Sequence, residues 1–182
     1  MHPWHNVDMP QYLFSLEAIT AIIEIPKGSK NKYELDKATG LLKLDRVLYS
    51  AVHYPANYGF IPRTIAGDGD PLDILVICQT AIDPLVIVKA LPLGLIKMVD
   101  DKGVDDKIIA VCVDDPGYSC YTTIESLPTH LLKEIERFFM DYKQLEHKEV
   151  LVDGFLGADE ARYVVNDALK SYALAYPFNI PR

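Results

Sequence analysis

Cysteine is scarce in this chain. Three cysteines occur among 182 residues, Cys78, Cys112 and Cys120, and no two of them are spaced as C-x-x-C. An odd number of cysteines without such spacing provides no disulfide framework, which favours a reducing cytosol over a secretory compartment. Cys78 and Cys112 stand inside apolar runs, so we interpret them as buried core thiols rather than redox or metal-binding groups.

Basic residues and long apolar runs are also few. Lys and Arg number 18 against 26 Asp and Glu, and the net charge of −8 argues against nucleic acid as a partner. The longest apolar stretch, from Pro84 to Ile96, is interrupted by Lys89 and is too short to span a bilayer. The N-terminal residues lack a positive region followed by an apolar one, so we expect no signal peptide. We therefore expect a soluble cytoplasmic protein with no membrane partner.

Several common catalytic and metal-binding patterns are missing. The sequence has no G-x-x-x-x-G-K-[ST] loop and no G-x-S-x-G turn, which argues against P-loop nucleotide hydrolysis and serine-hydrolase chemistry. An EF-hand loop starting at Asp68 fails because position six is Asp73 instead of Gly and position twelve is Gln79 instead of Glu. His2 and His5 form H-x-x-H near the terminus, and we interpret them as solvated.

Strands dominate the first half of the chain, and helices follow. The apolar and alternating patterns predict strands over 19–25, 32–36, 41–45, 72–78, 84–99 and 107–113, with a possible strand over 147–152. Helical spacing predicts helices over 128–146, with Ser126 as N-cap, and over 158–175. This order favours one α+β domain over residues 1–182, with a barrel-like antiparallel core and the helices outside it.

Two acidic clusters carry the first chemical signal. Asp68, Asp70 and Asp73 stand within six residues, and four aspartates lie within 100–106. Two antiparallel extended segments join the clusters, so both clusters and Lys107 should lie at the same end of the sheet. Converging carboxylates repel each other, and a divalent cation relieves that repulsion. Oxygen ligands without His or Cys suit magnesium or manganese.

Basic residues near tyrosines form the second signal. They are Lys32, Arg46, Tyr54, Tyr58, Lys107, Tyr142 and Lys143. Each has an ordinary structural explanation, such as a strand-end charge, a surface ion pair or core packing.

The combined set resembles the soluble family I inorganic pyrophosphatases, in order from about Leu16 to Glu146, and the short length resembles the prokaryotic branch. The segments that carry the resemblance are Glu24-Ile25-Pro26, 32–36, Asp45-Arg46, 54–59, 68–73, 97–107 and 138–143. The D-G-D-P-x-D element at Asp68 to Asp73 is the signature of the family and is complete here.

The resemblance implies a small, distorted five-stranded antiparallel β-barrel, OB-like, with flanking C-terminal helices. It also implies magnesium-dependent hydrolysis of pyrophosphate to two phosphates by a metal-activated water, with several Mg²⁺ per subunit and Mn²⁺ as a possible substitute. By similarity, Asp70 is the general base. The implied metal ligands are Asp68, Asp73, Asp100, Asp105 and Glu34. The implied phosphate-binding residues are Lys32, Arg46, Tyr58, Lys107, Tyr142 and Lys143, of which Lys32, Arg46 and Tyr58 also assist catalysis. Glu24 and Tyr54 support the network.

Two alternatives stay open, and kinship adds an expectation about assembly. A metal-dependent phosphohydrolase of an organic diphosphate would need a base- or sugar-binding pocket, for which no sequence signal exists. An OB-like binding module for oligonucleotides or glycans would need exposed aromatic residues among basic ones, against the charge observed. Prokaryotic relatives are usually homohexamers, so a homohexamer is expected, with the aromatic tail from Tyr172 to Phe178 as weak support.

Overall fold

Nine strands build the sheet structure of the residues that the computed structural model describes, which are 2–15, 17–101 and 103–177. In chain order they are β1 Ile19–Ile25, β2 Asn31–Leu35, β3 Leu42–Val47, β4 Asn57–Phe60, β5 Asp73–Ile77, β6 Ile87–Asp100, β7 Gly103–Val104, β8 Lys107–Cys112 and β9 Leu151–Leu156. Leu16 and Phe178, which bounded two of the sequence predictions, lie outside the described residues.

Five of these strands close into a barrel. Neighbours follow the order β1-β4-β5-β8-β6, and the pairing of β1 with β6 completes the ring. All residues of β1 and β8 are buried, as expected for apolar, β-branched strands covered on both faces. The predicted five-stranded barrel is confirmed.

One barrel pair differs from the antiparallel prediction. β5 and β8 run parallel, with Ile74 opposite Ile108, while the other four barrel pairs are antiparallel. A parallel pair needs a long crossover, and the long strand β6 lies within the connection from β5 to β8. The antiparallel prediction is therefore wrong for this pair.

Several element boundaries also differ from those predicted from the sequence. β2 and β3 form the predicted hairpin, and the possible strand at 147–152 lies instead at β9, beside β6. β4 was not predicted as a strand, because Asn57 and Gly59 have low strand propensity and only four residues pair.

Three α-helices accompany the sheet: α1 Pro3–Asn6, α2 Thr129–Asp141 and α3 Ala158–Ala175. α3 has the predicted bounds, and α2 ends five residues before its predicted end. Ser126 is not the N-cap of α2, because it closes a preceding 3₁₀ turn through reciprocal hydrogen bonds with Thr123. Among the described residues, no helix has both the length and the apolarity required to cross a bilayer.

The N-terminal segment packs against the barrel. Trp4 is buried, and its Nε1 donates to the carbonyl oxygen of Thr64 at 2.8 Å. His5 Nδ1 lies 2.7 Å from the Tyr172 hydroxyl, and His2 Nε2 lies 3.1 Å from the carbonyl oxygen of Lys37. The prediction that both histidines are solvated is therefore wrong, because burial of Trp4 brings its neighbours onto the protein surface.

Candidate active site

A charged cleft of about 450 Å³ opens at one end of the barrel. Every predicted site residue except Tyr54 lines it. The predicted residues on its wall are Glu24, Lys32, Glu34, Arg46, Tyr58, Asp68, Asp70, Asp73, Asp100, Asp105, Lys107, Tyr142 and Lys143. Tyr54 lies behind the wall, with its ring 5.4 Å from the ring of Tyr58.

Strand direction brings the two acidic clusters together. Asp73 begins β5, Asp100 ends β6 and Lys107 begins β8. β8 runs parallel to β5 and antiparallel to β6, so all three residues lie at the same end of the barrel. The prediction that the clusters share one end is confirmed, although β8 separates the two strands that connect them.

The loop that carries Asp68 and Asp70 is tightly turned. The Gly69 nitrogen donates to Ala66 at 3.0 Å, and the Ala66 nitrogen donates to the Asp70 carbonyl at 2.8 Å. Gly69 has φ +83°, a conformation that favours glycine. Asp68 Oδ1 accepts a hydrogen bond from the Asp70 backbone nitrogen at 3.0 Å, which adds a further contact within the turn.

Lys107 pairs with one aspartate from each of the two acidic clusters. Its Nζ lies 2.6 Å from Asp73 Oδ2 and 2.8 Å from Asp105 Oδ1, and the residue is buried. Burial by itself would lower the pKa of Lys107, but the charges of Asp73 and Asp105 raise it well above its ordinary value. Lys107 is therefore a permanent cation on the cleft floor.

Two further carboxyl groups show the effect of crowding. Burial raises the pKa of Asp105, and the neighbouring charges of Asp73 and Asp100 add to the increase. Burial together with the charge of Asp73 raises the pKa of Glu24 to about 8, and Glu24 accepts from the Leu35 nitrogen at 2.8 Å. Added positive charge in this cleft would favour the ionised form of both groups.

The tyrosines form a buried aromatic wall. The Tyr58 hydroxyl donates to Asp73, and burial raises the pKa of Tyr58, which keeps this phenol protonated. Tyr54 packs on Phe138 of α2, with ring centroids 4.7 Å apart. Tyr142 caps the same helix, so α2 positions one side of the cleft.

The β2–β3 hairpin supplies the opposite wall. Lys32 forms ion pairs with Glu34 and with Asp45, the latter at 3.4 Å. Arg46 donates through Nε to Glu146 at 2.7 Å and through Nη1 to Asp45. Arg46 therefore forms the ion pairs expected of a structural residue. It also lies on the cleft wall, a position that fits phosphate binding.

Lys143 and Asp100 close the remaining side. Lys143 Nζ lies 2.6 Å from Asp100 Oδ2 and 5.4 Å from the Tyr142 ring centroid. Burial would lower the pKa of Lys143, yet its contacts with the Tyr142 hydroxyl and the Asp100 carboxylate raise it above its ordinary value. This second lysine is also permanently charged.

The carboxylates are less tightly clustered than the sequence predicted. Among the described residues, no three Asp, Glu, His or Cys side chains stand in an arrangement ready to hold a metal ion. Lysine ammonium groups lie between the carboxylates instead, because each pair removes part of their mutual repulsion. The donor set nevertheless fits a hard divalent cation, since it consists of carboxylate oxygens from several elements facing one cleft.

Sequence reasoning missed several charged residues of the cleft. Lys37, Lys43 and Lys148 line it, and Lys43 lies 3.7 Å from Glu34. Hairpin register could have identified Lys43, because it stands directly opposite Glu34. Lys37 pairs with Asp70, and Lys148 pairs with Asp101 at 3.0 Å, across contacts that only the tertiary fold creates.

Comparison with known proteins identifies a clear group of relatives. The sequence model described as inorganic pyrophosphatase matches residues 21–173. Soluble inorganic pyrophosphatase 2 of Chlamydomonas reinhardtii is 52% identical, covering 100% of this chain and 92% of the relative. Soluble inorganic pyrophosphatase 1 of Arabidopsis thaliana is 51% identical over 94% of this chain and 80% of the relative.

Solved structures agree with the sequence matches. The inorganic pyrophosphatase of Helicobacter pylori is 42% identical with a TM-score of 0.86, covering 92% of this chain and 98% of the other. The inorganic pyrophosphatase of Thermus thermophilus is 40% identical with a TM-score of 0.84, covering 91% and 97%. Sequence and fold therefore indicate the same relatives.

Proposed function

Because the chain belongs to the inorganic pyrophosphatase family, we propose that its cleft hydrolyses inorganic pyrophosphate to two phosphates with magnesium as the cofactor and Asp70 as the general base. The observation that carries this proposal is one cleft in which aspartates from the 66–73 loop and the β6 end face lysines from β2 and β8. Such a cleft combines oxygen donors for cations with cations for phosphate oxygens.

The proposed metal ligands are five carboxylates that line the cleft, with manganese as a possible substitute for magnesium. They are Asp68, Asp73, Asp100, Asp105 and Glu34. A bound divalent cation neutralises phosphoryl charge and makes water a stronger nucleophile at neutral pH. Burial, with a smaller contribution from the charges of Asp73 and Asp100, raises the pKa of Asp105, and a bound cation would favour its ionised form, which supports this assignment.

Asp70 is more exposed than Asp73. Its side chain is about half exposed, at 47%, at the rim of the cleft, whereas the side chain of Asp73 is 27% exposed and contacts Lys107. An accessible carboxylate held by a tight turn can take a proton from an attacking water within hydrogen-bond reach. We therefore assign proton acceptance to Asp70 and metal binding to Asp73.

The remaining polar groups are assigned to the substrate. Lys32, Arg46, Lys107 and Lys143 provide positive charge on three sides of the cleft, and Tyr58 and Tyr142 provide hydroxyl groups. Fixed cations stabilise negative charge that develops on the leaving phosphate. Glu24 supports the wall from within the cleft, through the Leu35 nitrogen, and Tyr54 supports it from behind, through Tyr58.

The organisation of the whole protein is also part of the proposal. We assign residues 1–182 to a single pyrophosphatase domain located in the cytoplasm. Kinship with prokaryotic members of the family supports a homohexamer, which measurement of the mass in solution would test.

A phosphate-release assay tests the function. Purified protein is given pyrophosphate, ATP or a sugar nucleotide, each with magnesium or with excess chelator. Rapid, magnesium-dependent release from pyrophosphate alone supports the proposal. Preferential release from the sugar nucleotide or ATP would instead support a phosphohydrolase of organic diphosphates, and no release from any substrate would favour a binding module.

The Asp70 assignment needs its own variant in that assay. Asp70→Asn should lose most turnover, while Asp153→Asn, which removes a 76% exposed carboxylate paired with Lys97, should keep it. Equal activity of the two variants would contradict the assignment of Asp70 without affecting the assignment of the substrate.

A further inference from the structure

We propose that Lys37 is a positioning residue that orients the Asp70 carboxylate for proton transfer, an inference that rests on the proposed role of Asp70. Lys37 stands in the turn between β2 and β3, whereas Asp70 stands in the loop before β5. Its Nζ forms an ion pair with Asp70 Oδ1 and lies 3.5 Å from the Gly69 carbonyl oxygen. The ammonium thus contacts both the carboxylate and the backbone of its loop.

The turn that carries Lys37 is rigidly built. Asp36 Oδ1 accepts from the Thr39 nitrogen at 2.8 Å and from the Thr39 hydroxyl at 2.7 Å. Gly40 has φ +74°, and the Asp36 nitrogen donates to the Leu41 carbonyl at 2.8 Å. The backbone of Lys37 is therefore fixed by the hydrogen bonds of its own turn.

The N-terminal helix α1 fastens this turn to the barrel. His2 Nε2 lies 3.1 Å from the Lys37 carbonyl oxygen, which requires the tautomer protonated at Nε2. A Cβ added at Gly40 would lie 3.0 Å from the His2 ring and 3.1 Å from Pro3, the first residue of α1, so the turn is in close contact with the start of α1. Trp4 holds α1 in place through the Thr64 carbonyl. The backbone from which the Lys37 side chain reaches Asp70 is therefore held by its own turn and by the N-terminal segment.

The ion pair is poorly placed to stabilise the fold. The side chains of Lys37 and Asp70 are 49% and 47% exposed, and solvent-exposed ion pairs contribute little to stability. Orientation of a reacting carboxylate has a larger effect, because a displacement of about 1 Å can lower a rate by roughly 10²-fold. The contact therefore matters through the geometry of Asp70.

Three variants and a double-mutant cycle test the inference. Lys37→Met removes the charge, Lys37→Arg keeps it, and Lys97→Met removes a matched control lysine, also 49% exposed, whose partner is Asp153. We expect Lys37→Met to lower kcat about ten-fold with little change in KM for pyrophosphate, and Lys37→Arg to restore most of kcat. The melting temperature should stay unchanged in all three.

The double-mutant cycle with Asp70→Asn tests whether Lys37 affects kcat through Asp70. If Lys37 acts through Asp70, Lys37→Met should not lower kcat further in the Asp70→Asn background. An equal fall in both backgrounds, a rise in KM alone, or wild-type kcat in Lys37→Met would each overturn the inference. Failure of the proposed function is recognised separately, because the wild type and Lys97→Met would then also release no phosphate from pyrophosphate.

Discussion

Asp70 and Asp73 have different surroundings, and this difference is the basis for the different roles that we propose for them. Asp73 accepts from the Tyr58 hydroxyl and pairs with buried Lys107 at 2.6 Å, so its position is set by the barrel wall. Asp70 pairs with Lys37 at the rim and is more exposed. A group fixed in the wall suits a metal ligand, whereas a group at the rim can meet a water molecule.

The first prediction compares Asp70→Asn with Asp73→Asn. Asp70→Asn keeps the shape of the side chain but cannot accept the proton, so turnover should fall by roughly 10²–10⁴-fold, the usual size of a general-base contribution. Its affinity for the tightest metal should change little. Asp73→Asn should lower both rate and metal affinity, because it removes a ligand charge. Manganese titration combined with phosphate release measures both quantities, and an equal loss of metal affinity in the two variants would contradict this division.

Arg46 is the arginine that we propose to bind the substrate. Its Nε and Nη1 contact Glu146 and Asp45, which places the guanidinium plane at the cleft wall. A guanidinium can hold two phosphate oxygens at once, and a lysine ammonium cannot reproduce that geometry.

The second prediction is that Arg46→Lys lowers kcat/KM for pyrophosphate by ten-fold or more, about 1.4 kcal/mol, and leaves metal binding intact. Arg137→Lys is the matched control, since Arg137 also donates through Nε to a carboxylate, Asp141 at 2.7 Å, on an exposed helix face. Steady-state kinetics on both variants decide the point. Wild-type kinetics in Arg46→Lys would indicate that Arg46 serves only in surface ion pairs and not in substrate binding.

At the scale of the element, β1 and β4 approach each other closely beside the site. Gly59 lies opposite Ile23, and a Cβ added at Gly59 would stand 1.9 Å from the backbone oxygen of Ile22. Only glycine permits this approach. The same short strand carries Tyr58 at the cleft, so close packing of backbone and positioning of a site residue depend on adjacent positions.

The third prediction is that Gly59→Ala destabilises the protein by about 3 kcal/mol or more, because backbone rather than a flexible side chain must move. The control is Gly67→Ala, since no atom lies within 4 Å of the Cβ it would add. Urea unfolding measures both. If the midpoint of Gly59→Ala matches that of Gly67→Ala, the close contact between the strands has no energetic importance.

Across the whole molecule, the cleft is a place where charges of both signs meet. The chain carries a net charge of −8, but among the described residues the cleft is lined by eight carboxyl groups, whose charge is nearly matched by seven lysine or arginine side chains. Lysine pairs offset part of this charge, but Asp105 retains a raised pKa because burial and neighbouring carboxylates disfavour its ionised form. A cation that binds only the folded state should therefore stabilise it.

The fourth prediction is that magnesium raises the melting temperature, by an amount equivalent to about 2.7 kcal/mol at a hundred-fold excess over Kd. Sodium chloride of matched ionic strength is the control for general screening. Asp73→Asn should reduce the increase, because it weakens the site. Scanning calorimetry measures the shift, and a melting temperature independent of magnesium would argue against the proposed ligand set.

The sequence by itself determined the features that are encoded locally. Apolar runs and helical spacing predicted β1, the β2–β3 hairpin and the bounds of α3, because side-chain periodicity depends on near neighbours. The D-G-D-P-x-D element and the ordered Lys, Arg and Tyr residues identified the family before any fold was known. Strand direction then sufficed to place both acidic clusters at one end.

Tertiary structure alone decided the contacts between distant segments. The parallel pairing of β5 with β8, the position of β9 beside β6, and the packing of His2 and His5 depend on how far-apart segments meet, which no local period specifies. The ion pair between Lys37 and Asp70 joins residues 33 positions apart. Each of these contacts forms because the closed barrel and the buried Trp4 bring the segments together, and only then can their charges interact.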